Sequence, residues 1–290
     1  MAQTRIGFIG LGMMGAPMAR RLGQAGHALA LDDADPERTR ALCGELRADP
    51  LTHERARQLD VVITMLPNSA VVEEVLLGKG LADALPAGAT VIDMSSSEPV
   101  RSRELGETLA AKGLGYLDAP VSGGVKRAVD GSLAILVGGE AALLARHRPV
   151  LEAMGRSVLH IGAAGAGHAA KALNNFVSAA GLIATVEALH VARRFGIDPE
   201  VMTDVLNAST GRSNTSENKV KPFMLSGSYA SGFSLKLMDK DLGIAGALAQ
   251  SVGYPLAFGR HGIALWHAVA QEAGPTSDHT EMYRFLADEE

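Results

Sequence analysis

Residues 5–19 read RIGFIGLGMMGAPMA, and this stretch decides the fold. A short β-compatible run, Arg5 to Ile9, leads without a break into Gly10-Leu11-Gly12-Met13-Met14-Gly15, a G-x-G-x-x-G, and Pro17 suits the first turn of a following helix. The first glycine permits a tight turn, the second lets backbone approach a pyrophosphate, and the third lets helix pack on strand, with the helix N-terminus facing the negative charge. Gly10, Gly12, Met13, Met14 and Gly15 are therefore the expected cofactor-binding turn. A second strand, Ala28 to Asp33, ends in an acid at the usual fingerprint distance of about 20 residues, where a carboxylate accepts bonds from a ribose diol. Asp33 is assigned that role. Asp32 is the alternative, since a one-residue slip in register reverses their facing. No arginine directly follows Asp33, although Arg38 and Arg40 lie nearby, so NAD is favoured over NADP.

Outward from this turn, short apolar runs alternate with helical patterns, which reads as βαβ units building a mostly parallel, doubly wound sheet. The expected strands are Arg5–Ile9, Ala28–Asp33, Val61–Leu66, Thr90–Met94, Gly115–Ala119, Leu133–Gly138 and Ser157–Ile161. After Gly162 the strand signals stop. Ala166 to Phe195 reads as one long, mostly buried helix ended by Gly196, and the rest is helical. Asp198-Pro199 and Ser277-Asp278 before Glu281 are helix starts, and a further helical run spans Ser234 to Val252. The expected fold is an α/β Rossmann domain over residues 1–162 plus an all-α domain over 163–290, joined by the long helix.

The 290 residues carry 27 Lys and Arg against 32 Asp and Glu, a net charge of −5 with no basic run. That balance gives no footprint for a nucleic-acid backbone or an anionic membrane, so small-molecule chemistry is expected. The longest uncharged stretch, Leu242 to Gly259, is broken by Gln250, Ser251, Gly253 and Pro255, so no transmembrane helix is expected. The uncharged run Ile6 to Ala19 after Arg5 superficially resembles a signal peptide, but reads better as the glycine fingerprint. A single cysteine, Cys43, excludes an internal disulfide and, with no Cys/His cluster, argues against structural zinc. A cytoplasmic enzyme is the simplest reading, and no metal is assigned.

The chemistry concentrates in GAGHAAKALNNFVS, Gly165 to Ser178. On a helix, Lys171, Asn174, Asn175 and Ser178 fall at i, i+3, i+4 and i+7, one polar stripe, while Ala172, Leu173, Phe176 and Val177 take apolar directions. A partly desolvated pocket lysine exchanges protons near neutral pH, and this helix begins where the sheet domain ends, so Lys171 is expected over the strands' carboxyl ends. A solvated lysine is the bland alternative. Asp118-Ala119-Pro120-Val121-Ser122-Gly123-Gly124 follows another strand and ends in a turn whose backbone N–H groups can hold a carboxylate, or which is simply tight. Lys240-Asp241, taken alone, reads as surface charge. His168 is given a local structural role at the helix start, and Trp266 a place in the core or a subunit interface.

Taken together these segments resemble the β-hydroxyacid dehydrogenase family, which includes 3-hydroxyisobutyrate dehydrogenase, tartronate semialdehyde reductase and related semialdehyde reductases. The resemblance runs through essentially the whole chain: GFIGLGMMGAPMA, MLP at Met65–Pro67, DMSS at Asp93–Ser96, DAPVSGG at Asp118–Gly124, GAGHAAKALNN at Gly165–Asn175 and KDL at Lys240–Leu242. It implies Lys171 as catalytic lysine, with Asn175 orienting it or the substrate. Ser122, Gly123 and Gly124 would hold the substrate carboxylate, and Leu66, Pro67, Ser96 and Lys240 would line the cofactor; Asn174 and Ser178, from the polar stripe of the long helix, are assigned to substrate binding. The family often has Thr where this chain has Ser96; the hydroxyl survives. It further implies a homodimer or homotetramer. Side chains from separate helices, including Asn214, Lys219, Phe233 and Asp241, are expected to sense the rest of the substrate. Imine reductases resemble the family but lack the lysine, 6-phosphogluconate dehydrogenase resembles a much longer chain, and a non-catalytic dinucleotide sensor would have no use for Lys171, Asn175 and Ser122.

Overall fold

The computed structural model describes residues 3–287. The chain divides into two compact units, Met1–Lys171 and Ala172–Glu290.

In the first unit the strands are β1 (Arg5–Ile9), β2 (Ala28–Asp32), β3 (Asp49–Pro50), β4 (Val61–Thr64), β5 (Thr90–Asp93), β6 (Gly115–Asp118), β7 (Val121–Ser122), β8 (Leu133–Gly139) and β9 (Gly155–Gly162). They form one sheet in the order β3-β2-β1-β4-β5-β6-β8, parallel through β6; β8 runs antiparallel to β6 and β7 and parallel to β9. Chain order reverses between β1 and β4, and the crevice beyond the strand ends at such a switch point is where open α/β sheets bind ligands. Alternation along the strands explains the burial of both faces. Ile6, Phe8, Val61 and Ile63 enter one apolar cluster with Met18 and Leu22 of the helix Gly15–Gln24, while Ile9, Val62 and Val91 enter another with Leu105 and Leu109 of the helix Pro99–Ala111.

Every strand read from the sequence is present, with ends shifted by at most two residues. Two are additions. β3 and β7 are two residues each, too short to carry any periodicity, and the antiparallel run of β8 has no sequence signature of its own.

The second unit is helical, with Pro199–Ala208, Leu235–Ser251 and Gly259–Glu272 joining most of the helix Ala166–Phe195. Asp198 caps Pro199–Ala208 through the Glu200 N–H, and Asp278 with Glu281 closes a capping box over the turn His279–Glu281. The core gathers Leu182, Val186, Leu189, Leu235, Met238 and Trp266. Trp266 is thus a core residue, its Nε1 donating to the Ala179 carbonyl at 3.4 Å. The long helix is less buried than its sequence suggested. By length and composition it is long and apolar enough to cross a membrane, and 44% of its most apolar stretch is buried. Leu173, Val177, Val191 and Phe195 are exposed, Phe195 by 83%. Apolar residues all round the helix made it read as buried, but only one face meets the core.

Candidate active site

The glycine turn is closed on two sides and open on the third. Gly10 has φ +98°, and a Cβ there would collide with the Met65 carbonyl in the loop after β4; a Cβ on Gly15 would collide with the Gly10 carbonyl. A Cβ on Gly12 would meet nothing within 4 Å. The helix Gly15–Gln24 has no side-chain cap and no acid in its first turn, so its positive end is left for an anion. Met13 is exposed, whereas Met14 packs on the core. These residues fit a dinucleotide pyrophosphate.

Asp33 sits just past β2, where Oδ2 accepts the Leu11 N–H at 2.6 Å and Oδ1 accepts the Asp35 N–H at 2.9 Å. It therefore ties the strand end to the glycine turn, and a carboxylate with two such bonds keeps lone pairs for a ribose diol. Arg38 Nη1 lies 3.8 Å from Oδ1. Asp32 is the last strand residue, opposite Ile9, and burial raises its carboxyl pKa against the opposing field of Lys79.

Beyond β4, β5 and β6 lies a network of buried polar groups that the sequence reading did not assemble. Asp93 and Asp118, in register at the ends of β5 and β6, are fully buried. Asp93 accepts bonds from the Thr64 and Ser97 hydroxyls at 2.8 Å each and from the Ser95 N–H at 3.0 Å. Ser95 in turn accepts the Leu66 N–H at 2.8 Å, fixing the Met65–Pro67 loop. Ser95 and Ser97 are buried, while Ser96 between them is half-buried. Asp118 accepts the N–H of Gly165 at 2.7 Å and of His168 at 2.9 Å, so a strand-end carboxylate caps the long helix from outside it. The His168 ring is buried, with Nε2 3.0 Å from the Ser95 carbonyl and Nδ1 2.8 Å from the Ser102 hydroxyl; its role is structural, as expected, but it reaches across three segments. The available signal was that two neighbouring strands both end in Asp.

Lys171, half-buried, follows His168 by three residues on this capped helix. Ser122, also half-buried, ends β7, and Gly123 and Gly124 both take positive φ, +131° and +68°, which only glycine adopts without strain. A Cβ on Gly123 would collide with Arg127, and one on Gly124 would meet open space.

In the helical unit, Asn175 is buried and its Nδ2 donates to Asp241 Oδ2 at 2.6 Å, while Asn174 is exposed and donates to Asn175 Oδ1 at 3.2 Å. Asp241 is 5% exposed, so the Lys240-Asp241 pair is not the surface charge its sequence suggests. Burial lowers the Lys240 pKa, against the field of Asp241. Lys219 Nζ lies 3.5 Å from the Ser178 hydroxyl. Among the described residues no three His, Cys, Asp or Glu side chains gather as a metal site.

A dinucleotide turn open at Gly12, an acid after β2 and a lysine on a helix pinned to the sheet's carboxyl end define a nicotinamide-dependent oxidoreductase. The family model for the NAD binding domain of 6-phosphogluconate dehydrogenase matches residues 5–162. A second model, NAD-binding of NADP-dependent 3-hydroxyisobutyrate dehydrogenase, matches residues 165–286. The 3-hydroxyisobutyrate dehydrogenase of Pseudomonas aeruginosa is 42% identical over 261 residues, covering 86% of each chain. The 2-(hydroxymethyl)glutarate dehydrogenase of Eubacterium barkeri is 37% identical over 254 residues, covering 87% of this chain and 84% of that one. A solved structure of Mycobacterium tuberculosis 3-hydroxyisobutyrate dehydrogenase with L-serine matches at 34% identity and a TM-score of 0.92, covering 99% of this chain and 100% of that one. The chain belongs to the β-hydroxyacid dehydrogenase family.

Proposed function

We propose that the chain transfers hydride between NAD(H) and a short 3-hydroxy acid or its semialdehyde, such as 3-hydroxyisobutyrate or glycerate/tartronate semialdehyde, with Lys171 as general acid and base. The observation that carries this reading is the placement of Lys171 three residues beyond a helix start that Asp118 bonds to the end of β6. The bound nicotinamide supplies or accepts the hydride. Lys171 as ammonium donates a proton to the carbonyl oxygen in reduction, and as amine takes the hydroxyl proton in oxidation. Asn175, one turn further along the helix, orients Lys171 or the substrate and is itself held by Asp241. The Ser122 hydroxyl and the backbone of Gly123 and Gly124 hold the substrate carboxylate, with Asn174 and Ser178 on the substrate side. Leu66, Pro67, Ser96 and Lys240 line the cofactor.

The carboxylate of Asp33 favours NAD, because a 2′-phosphate beside it is repelled. Arg38 at 3.8 Å is the feature that would favour NADP, once turned from Asp33 toward that phosphate. The exposed Leu173, Val177, Val191 and Phe195 support self-association as a homodimer or homotetramer, which light scattering on the purified protein reads directly. The test of the reaction is reduced-dinucleotide formation or consumption across a panel of short 3-hydroxy acids and semialdehydes, with NAD and NADP in parallel. Turnover with NAD is expected; no turnover with any member despite dinucleotide binding returns the reading to a cofactor sensor.

A further inference from the structure

His168 is the third ionisable group of the buried network at the strand ends, and its hydrogen bonds locate its protons. Nε2 lies 3.0 Å from the Ser95 carbonyl, which only accepts, so Nε2 carries a hydrogen. Nδ1 lies 2.8 Å from the Ser102 hydroxyl oxygen. That hydroxyl has a single hydrogen and donates it to the Glu98 carbonyl, one helical turn back, at 3.1 Å, so its oxygen receives a hydrogen from Nδ1. Both ring nitrogens then donate, which only the imidazolium can do.

Charge leads to the same state. Asp93 and Asp118 are fully buried, and among the described residues no lysine or arginine stands at ion-pair distance from either. The buried His168 ring takes that place, with Nε2 3.9 Å from Asp93 Oδ2 and Nδ1 3.7 Å from Asp118 Oδ2. Tyr116 supplies no counter-charge: burial, and then the fields of Asp93 and Asp118, push its hydroxyl pKa well above the usual value and keep it neutral. Two buried carboxylates with no opposite charge are costly, and one cation between them offsets much of that cost. We infer that His168 is a doubly protonated counter-ion to Asp93 and Asp118, and that this buried ion triad makes His168 the positioning residue for the helix start that carries Lys171. The consequence for Lys171 rests on the dehydrogenase reading, whereas the protonation of His168 is measurable without turnover.

The first test is NMR of the wild-type protein at neutral pH with nitrogen-labelled histidine. Each His168 ring nitrogen is expected to carry a bonded hydrogen. Its signals are assigned by their loss in His168→Gln or, should that variant not fold, by Overhauser contacts to Ser95 and Ser102. A bare Nδ1 overturns the proposal. The second test uses Asp93→Asn, which removes the charge and keeps the hydrogen bonds. Oδ1 already accepts both the Thr64 hydroxyl and the Ser95 N–H, and the Ser97 hydroxyl on Oδ2 can turn to accept from an amide. His168→Gln, which leaves two carboxylates uncompensated, is expected to lower kcat about tenfold with NAD affinity unchanged, as a small displacement at a reacting centre does. Adding Asp93→Asn is expected to recover most of that loss, since the variant again holds one net negative charge. Wild-type kcat in His168→Gln, or a loss that Asp93→Asn does not recover, overturns the positioning role. Two ring hydrogens in a protein without turnover overturn the dehydrogenase reading and keep the ion triad.

Discussion

At the carboxyl end of the sheet two carboxylates, Asp93 and Asp118, are fully buried, and they accept three and two hydrogen bonds respectively from hydroxyl and backbone donors. In the helical unit the largely buried cation Lys219 has one long approach to a hydroxyl and no carboxylate at ion-pair distance among the described residues. Buried charge is doing opposite things in these regions. Where a fully buried carboxylate has both oxygens met by fixed donors, the group holds chain segments together. Where a cation is left short of fixed partners, burial acts on the charge itself and lowers the Lys219 pKa. A satisfied network therefore marks a frame, and an under-satisfied cation marks a group whose charge its surroundings oppose.

The strongest way to break this contrast is Asp118→Asn. An amide cannot accept both N–H groups, so one buried donor is left unmet, costing about 1–3 kcal/mol, and the start of the long helix shifts. Because Lys171 rides on that start, kcat is expected to fall about 100-fold while NAD affinity holds, the penalty of small displacements at a reacting centre. Wild-type kcat in a folded Asp118→Asn protein would remove the frame from the account. Asp33→Ala comes next: loss of a charged acceptor is expected to weaken NAD binding about tenfold, read by fluorescence titration, and unchanged affinity would move the ribose contact elsewhere. Asp241→Ala sharpens the comparison inside the helical unit. Asn175 loses its acceptor there, and stability should drop by about 1–3 kcal/mol in urea unfolding, against no measurable loss if the bond is incidental.

Much of this architecture is legible because its signals are local. The glycine turn announces itself by spacing, the strands by apolar runs, and the helix starts at Pro199 and His279 by the acid that caps each. What the sequence hides depends on three-dimensional neighbours. β7 is two residues paired to a strand a dozen positions away, and nothing within Val121-Ser122 reveals it. Asp118 was visible within its motif, but its capping of a helix 47 and 50 residues later follows only once β6 and that helix are packed. Lys240-Asp241 looked like solvated charge because two adjacent ionisable residues usually are, yet Asp241 is buried against Asn175. The exposed side of the long helix misread in the other direction, since apolar composition says how much surface is oily, not which part the chain itself covers.

The account turns on Lys171 as the group that moves the proton, and the most direct measurement is kcat for Lys171→Ala alongside its NAD affinity. The expected result is a fall in kcat of about 100-fold or more with NAD binding nearly intact, the scale of a lost acid–base group. Near-wild-type turnover in that variant would contradict the account at its centre.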